Sequence, residues 1–467
     1  MNKAQFGMIG LGTMGRNLVL NIADHGFAVC GYDRDVAQQQ RLLAEANGKP
    51  VYAAASLQEL VNSLEKPARI MLLVPAGKIV DTVLTDLVPL LQKDDIVIDG
   101  GNSHFTDTDR RYNQLQSGGI HFMGMGVSGG EDGARFGPSM MPGSNEQSFN
   151  AVKDILESIA ATTEDGPCVS FIGNGAAGHY TKMVHNGIEY AMMQLISETY
   201  GILKNIGGLS NEELQQTFAA WNKAALQGFL IEITADVFLK KDDKTAAFLV
   251  DMILDKAKQK GTGMWTSQSA MDLNIPIPVI DAAVSMRYLS ALKDARVATA
   301  AHYQLPATAA TADKEKLVNT CSKALQFAFI LAYAQGLHLL QEASTVYNYH
   351  VRIAEVVRVW KGGCIIRSSM LDQIRNAYLQ NGSLSNIIQS PFFIDMLKQY
   401  RAAVVDICST GMQQGLPVTA FAASLNYFDA YCSARLPANL IQAQRDLFGA
   451  HTYERTDAAG SFHTDWK

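Results

Sequence analysis

Five polar side chains recur at helical spacing within one short stretch of this 467-residue chain: Lys182, His185, Asn186, Glu189 and Tyr190. Offsets of three, four, seven and eight put them on one stripe of a helix. At 3.6 residues per turn they span an arc of roughly 140°, with Lys182 about 10 Å along the axis from Glu189. Their flanks are apolar: Met183, Val184, Ile188, Ala191, Met192, Leu195 and Ile196. An amine and a carboxyl held among such neighbours acquire shifted pKa values and can move protons at two atoms of one small substrate. A pair of charges on a solvated helix surface has the same spacing, so the elements around the stripe must decide.

Those elements start at the N-terminus. Phe6 to Gly10 reads as a short buried strand. Gly10-Leu11-Gly12-Thr13-Met14-Gly15 breaks it and opens a helical pattern, and Asp33 ends the next strand. Glycines at this spacing let the backbone approach a pyrophosphate, and the helix N-terminus offers free N–H groups. A carboxylate at the end of the second strand accepts from ribose hydroxyls, whereas an arginine beside it pairs with a 2′-phosphate. Asp33, Arg34 and Asp35 stand in a row, so NAD and NADP both stay open. Asp99-Gly-Gly-Asn102-Ser103 closes another strand, at the sheet edge where ligands bind. Gly124-Met-Gly126-Val-Ser128-Gly129-Gly130-Glu131 reads as a glycine-rich turn whose N–H groups and hydroxyl can cup a carboxylate. Lys260-Gly-Thr262-Gly and Arg287 are candidates for a phosphate clamp, joined by Arg445 and His451 from the C-terminal tail.

Residues 1–176 alternate strand and helix patterns, the βαβ order of a parallel sheet covered on both faces. From 177 to about 434 helical periods dominate. The helix opening at Gly178 and that from Lys314 to Ala343 look alike, and each is followed by a tryptophan, Trp221 and Trp360, which suggests a duplicated helical unit. Residues 435–467 hold Phe448, Tyr453, Phe462 and Trp466, costly to expose, so the tail is expected to pack, on a neighbouring subunit. The expected fold is an α/β Rossmann-like N-terminal domain, a large all-α domain and a C-terminal tail.

A chain this long, 48% hydrophobic and only 18% charged, forms several domains and buries much of its surface. Its net charge of −6 attracts neither nucleic acid nor an anionic membrane, so an anionic ligand needs a local basic pocket. The cysteines, Cys30, Cys168, Cys321, Cys364, Cys408 and Cys432, make no C-x-x-C pair, and neither a zinc site nor a disulfide framework is expected. The apolar run Phe327 to Leu340 is short for a bilayer and interrupted by Gln335, Gly336 and His338. With no signal-peptide pattern at the start, the expected address is the cytoplasm.

Four segments resemble the decarboxylating 6-phosphogluconate dehydrogenase family: Gly126-Val-Ser-Gly-Gly-Glu131, Gly178-His-Tyr-x-Lys-Met-Val-His-Asn-Gly-Ile-Glu-Tyr190, Lys260-Gly-Thr-Gly-x-Trp-Thr-Ser267 and Leu436-Pro-Ala-Asn-Leu-Ile-Gln-Ala-Gln-Arg-Asp446. The resemblance runs from Phe6 to Trp466. It implies oxidation of 6-phosphogluconate by NADP to ribulose 5-phosphate and CO2, without a metal, in a homodimer whose tails complete the neighbour's site. By match of motif, Lys182 is the general base and Glu189 the general acid. Asn102, Ser128, Gly129, Gly130, His185, Asn186, Tyr190, Lys260, Thr262 and Arg287 fall at substrate-binding positions, with Arg445 and His451 supplied by the other subunit. Gly10, Leu11, Gly12, Thr13, Met14, Gly15, Asp33, Arg34, Asp35, Val74, Pro75, Ala76 and Asn102 fall at cofactor positions. The chain departs from the family at Asp33-Arg34-Asp35, where Asn-Arg-Ser or Asn-Arg-Thr is usual, and at Pro75, where a lysine is usual. Both departures lean toward NAD or dual use. A dehydrogenase of a short β-hydroxy acid such as 3-hydroxyisobutyrate is the rival reading; it needs neither the Lys260, Arg287 and Arg445 cluster nor a doubled helical domain. A non-catalytic dinucleotide sensor is a second, and it needs neither Lys182 nor Glu189.

Overall fold

The computed structural model describes residues 3–303 and 313–466. Eight strands form one sheet: Phe6–Ile9 (β1), Val29–Tyr32 (β2), Val51–Ala53 (β3), Arg69–Leu72 (β4), Ile96–Asp99 (β5), His121–Ser128 (β6), Ser139–Ser144 (β7) and Gly173–Asn174 (β8). The central strands are short apolar runs without alternation, as burial on both faces demands. Strand order is β8-β7-β6-β5-β4-β1-β2-β3, parallel throughout except between β6 and β7. The order reverses between β1 and β4, and the crevice beyond the carboxyl ends of these two strands is the ligand-binding position of such sheets. One apolar core, with Phe6, Leu18, Ile98 and Met123, lies against one face; a second, with Ile9, Leu60, Ile70, Val97 and Phe122, lies against the other.

The glycine-rich segment read as a turn from Gly124 is strand up to Ser128, and the turn begins only at Gly129. Its glycines serve packing. The long helix Ala177–Asn205 lies across β6 and β7 so closely that a Cβ on Gly178 would fall 2.2 Å from the carbonyl oxygens of Gly124 and Met141. A Cβ on Gly126 would fall 2.4 Å from Cβ of Lys182. Small residues here bring the helix, and with it the polar stripe, onto the strand ends.

The helices that matter below are Thr13–Asp24 (α1), Gly130–Phe136 (α2), Ala177–Asn205 (α3), Thr262–Asp272 (α4), Pro278–Ala291 (α5), Lys314–Val346 (α6), Pro391–Gln413 (α7), Thr419–Tyr431 (α8) and Ala438–Gly449 (α9). Beyond the sheet the helices fall into two similar halves. Each has a long helix (α3, α6), a shorter one ending at or beside a tryptophan (Asn211–Trp221; Ile353–Val359 with Trp360), a loop, and an eleven-residue helix (Phe229–Leu239; Met370–Gln380). The two loops meet: Phe229 N–H donates to the Arg367 carbonyl at 3.1 Å, and Ser369 N–H to the Gln227 carbonyl at 3.0 Å. This is how two copies of one unit, related by a local two-fold, would pair. Helix α6 is long and apolar enough to cross a membrane, and longer than the interrupted run in the sequence suggested. Its apolar length is covered by protein, with Leu325, Phe327, Ile330, Leu331 and Leu337 all at 0% exposure. Helix α9 and a small hairpin, Tyr453–Glu454 with Ser461–Phe462, make up the tail.

Candidate active site

Helix α3 is buried along nearly all of its first half, so its polar stripe is enclosed rather than solvated. Lys182 Nζ donates to Ser128 Oγ at 3.0 Å, at the end of β6, and lies 3.4 Å from His185 Nδ1. Ser128 Oγ is 3.5 Å from His185 Nε2, and Asn186 Oδ1 is 3.2 Å from Nδ1. Glu189 Oε2 stands 3.9 Å from Nδ1, one turn further along. Trp360 packs edge-on against the imidazole at 5.6 Å between ring centres. Lysine, histidine, serine, asparagine and glutamate thus form one cluster.

The environment sets its protonation. Burial pushes the Lys182 amine below its ordinary value, against the opposing pull of Glu189 and Cys364. Burial, aided by the Lys182 charge, holds the imidazole of His185 well below its usual range. Burial raises the carboxyl of Glu189, with Lys182 and Arg287 acting the other way. A lysine moved toward neutrality and a glutamate moved toward keeping its proton are the states a general base and a general acid need.

Beyond Glu189 the stripe meets the second half of the site. The Arg287 guanidinium of α5 lies over the Tyr190 ring, 3.4 Å from its centre, and donates to the Lys258 carbonyl at 3.1 Å. Thr262 opens α4, which docks against α3: Thr266 Oγ1 donates to the Met183 carbonyl at 2.9 Å. Lys260 is exposed at the mouth, just before α4. On the sheet side, β5 and β6 pair in parallel, so Asn102 in the loop after β5 flanks the strand that delivers Ser128. Gly129 and Gly130 form a left-handed turn into α2. Arg445 and His451 are exposed on the tail. Among the described residues, no hydrogen bond or ion pair joins either of them to α3.

A cleft of about 390 Å3 opens at the switch between β1 and β4, lined by Gly10, Gly12, Asp33, Arg34, Asp35, Val74 and Pro75. Leu11, Thr13, Met14, Gly15 and Ala76 stand beside these residues in the chain, and Gly15 packs so tightly that a Cβ would fall 1.9 Å from the Gly10 carbonyl oxygen. Gly12 caps α1 with no side-chain hydrogen bond, which leaves the N–H groups of the first turn for an anion. These features fit a dinucleotide. Both oxygens of Asp33 accept backbone N–H groups, from Leu11 at 2.7 Å and from Asp35 at 2.9 Å. Asp35 caps the following helix by accepting from Ala37 N–H at 3.0 Å. The two carboxylates that pointed toward NAD are therefore engaged in shaping the loop, and Arg34 is the exposed cation on the cleft, with Asp86 3.4 Å away.

Arg111 is a member the sequence did not reveal. Fully buried, it donates to Asp81 at 2.8 Å and to the Gly77 carbonyl at 3.0 Å, and lies 3.6 Å from Asp99. Asp99 in turn accepts from Gly101 N–H at 3.0 Å and from Ser103 Oγ at 2.6 Å. One guanidinium thereby ties the loop of Pro75 and Ala76 to the loop of Asn102. A buried arginine far from the other site residues in sequence leaves no periodic or motif signal. Trp360 is similar: the sequence marked it only as half of a repeat.

Comparison with known proteins places this arrangement. Residues 178–466 match the family model of the 6-phosphogluconate dehydrogenase C-terminal domain, and residues 5–173 match that of the NAD binding domain of 6-phosphogluconate dehydrogenase. The chain belongs to the 6-phosphogluconate dehydrogenase family. It is 50% identical over 467 residues to the NADP(+)-dependent, decarboxylating 6-phosphogluconate dehydrogenase of Bacillus subtilis (strain 168), covering 100% of both chains. It is 48% identical, over 100% of both, to the decarboxylating 6-phosphogluconate dehydrogenase of Escherichia coli. The Plasmodium falciparum 6-phosphogluconate dehydrogenase, solved in apo form and with NADP+ or 6-phosphogluconate, superposes with a TM-score of 0.97 at 41% identity, over 99% of this chain and 100% of that one. Membership along the whole chain favours the family over the short β-hydroxy acid alternative, and its dehydrogenase members leave the sensor reading without support.

Proposed function

We propose that this chain oxidises and decarboxylates 6-phospho-D-gluconate to D-ribulose 5-phosphate and CO2 with NADP. The observation that carries the reading is the enclosed Lys182, in contact with Ser128 and His185, with Glu189 two turns further along the same helix. NADP, when bound, accepts the hydride that leaves C3 of the sugar acid. Lys182 Nζ, neutral at that moment, takes the proton of the C3 hydroxyl. The product is a β-keto acid. Lys182, now protonated, donates to the C3 carbonyl oxygen and draws electrons from the C1–C2 bond as CO2 departs. Glu189 then protonates the remaining enediol at what was C2. Ser128 and the Gly129–Gly130 turn hold the carboxylate end, and Arg287, Lys260, Tyr190 and Thr262 receive the phosphate end. Stoichiometric release of CO2 and ribulose 5-phosphate per NADPH from 6-phosphogluconate, with no turnover of 3-hydroxyisobutyrate, is the expected result. Turnover of the latter alone overturns the reading.

Arg34 is the NADP determinant in this reading. Arg34→Ala is expected to raise KM for NADP roughly 10- to 100-fold, the worth of a charged hydrogen bond, and to leave KM for NAD unchanged. Asp33→Asn should impair both cofactors together, because one oxygen of its carboxylate holds Leu11 in the glycine loop. Selective gain of NADP use in that variant would show that Asp33 instead discriminates at the ribose.

The tail reading belongs here too. In a homodimer, Arg445 and His451 of one subunit complete the phosphate end of the other. Support comes from the surface of α9: Leu440, Ile441, Leu447 and Phe448 are 58–70% exposed. Four large apolar side chains on one short helix form a patch that calls for a partner. Light scattering is expected to give twice the chain mass.

A further inference from the structure

We propose that Asp446 is the positioning residue of the tail, which folds Arg445 and His451 into a preformed clamp before a second copy of the chain receives them. The inference rests on the tail reading above and adds a residue to it. Within α9, Asp446 is the one fully buried side chain among exposed neighbours. A buried carboxylate must find hydrogen-bond partners, and this one has four. Oδ1 accepts from Thr452 N–H at 3.0 Å and from His463 Nδ1 at 2.8 Å. Oδ2 accepts from Thr464 N–H at 3.1 Å and from Trp466 Nε1–H at 2.8 Å. That occupies the acceptor capacity of an ionised carboxylate.

Three segments converge on this side chain: helix α9, the turn at 450–452 and the strap at 461–466. The turn needs holding. Ala450 and Thr452 both sit in the left-handed region, with φ of 52° and 56°, which costs an L residue and most of all a β-branched one. His451 lies between them. Ala450 N–H donates to the Asp446 carbonyl at 2.9 Å and Thr452 N–H to its carboxylate, so both strained residues are tied to this single residue. Arg445 precedes Asp446 in the chain, and its own side chain is braced by Gln442 at 3.2 Å. Gln442 of the same helix also donates to the Thr452 carbonyl at 2.5 Å, and Ser461 Oγ donates to Thr452 Oγ1 at 2.8 Å. The Asp446 carboxylate bonds the turn and the strap at once, and without it the two cations would lose their common frame.

Steady-state kinetics of Asp446→Asn test this. The amide keeps the shape but turns a donor toward N–H groups. KM for 6-phosphogluconate is expected to rise about tenfold or more, as for loss of a charge-assisted contact, with kcat and KM for NADP little changed. Made on an Arg445→Ala background, the same substitution should raise KM by less than about twofold, because residues acting as one unit are not additive. Equal losses on both backgrounds overturn the proposal and leave Asp446 a purely structural residue. An unaltered KM in Arg445→Ala alone overturns the tail reading, and the proposal with it. Should Asp446→Asn lower the dimer content, Trp466→Phe removes one N–H donor and spares the carboxylate. A raised KM in that intact dimer supports the proposal, and an unchanged KM overturns it.

Discussion

Helices α3 and α9 depart from ordinary amphipathic design in opposite directions. Helix α3 encloses an amine, an imidazole and most of a carboxyl, whereas α9 displays leucine, isoleucine and phenylalanine to solvent. Enclosing polar groups forfeits hydration and is tolerated where partners or chemistry return it. Displaying large apolar groups forgoes about 1.5–3 kcal/mol for each side chain that stays wet. An excess of polarity inside points to a substrate, and an excess of apolar surface outside points to a second chain. In the function proposed above the two helices are halves of one design, the first holding the proton chemistry and the second supplying cations to another copy.

The largest expected effect falls on α3. Lys182→Met removes the proposed base but adds no buried polar group, so kcat should fall about 10²- to 10⁴-fold, the usual share of proton transfer, without loss of thermal stability. Glu189→Gln should fall in the same range, with release of CO2 less affected than protonation of the enediol. In the parent enzyme kcat/KM should decline toward acid as Lys182 takes up its proton, and toward alkali as Glu189 loses its own. Their pKa values are moved toward each other, one down and one up, so the window between is narrower than for free side chains. Near-normal turnover by either purified variant would break the comparison at its first half.

A smaller effect is expected on α9. Leu440→Asp with Phe448→Asp should dissociate the dimer proposed above and raise KM for 6-phosphogluconate, while each separated chain keeps its secondary structure. Arg445→Ala alone should raise KM about 10- to 100-fold with the dimer intact. If the double aspartate variant stays dimeric, the apolar face of α9 belongs to some other contact.

The sequence revealed these halves unequally. The stripe from Lys182 to Tyr190 could be read because helical period is local, and the glycine loop because strand, turn and helix follow one another in the chain. That Asp33 braces Leu11 could not be read, since the same acid at the same place serves a ribose equally well. Arg111 was hidden because its meaning lies in the two loops it joins, not in its neighbours along the chain. The glycines of β6 passed for a turn. Only the path of α3 across the sheet shows that they are there for closeness. The tail's aromatic residues announced that burial was needed, and Asp446 now shows how part of that fold is organised.

Helix α3 also holds a carboxylate that no substrate reading needs, and it sharpens what enclosure by itself means. Glu198 is 5% exposed and accepts from the N–H groups opening α8, Ala420 at 2.8 Å and Phe421 at 3.1 Å, with Gln194 donating at 3.0 Å. Burial raises its pKa, and these hydrogen bonds offset that only in part, leaving it at about 7 against an ordinary 4.5. A folded-state pKa above the unfolded one means the native state binds more protons in between. This contribution to stability is therefore full below about pH 4.5 and is lost as pH rises through about 7. The shift corresponds to about 3 kcal/mol. Glu189 acts in the same direction and Lys182 in the other, so the parent curve alone does not isolate Glu198. The difference between parent and Glu198→Gln does. Urea unfolding at pH 5 and pH 8 should show the parent losing about 2 to 3 kcal/mol more than the variant across that interval, since part of the loss already occurs below pH 5, with kcat at pH 8 within about twofold of the parent. If kcat collapses instead, Glu198 belongs to the chemistry and enclosure on α3 marks the active site along its whole length. If the two stability curves run parallel, the carboxyl is already ionised at pH 5 and the helix N-terminus of α8 alone carries it.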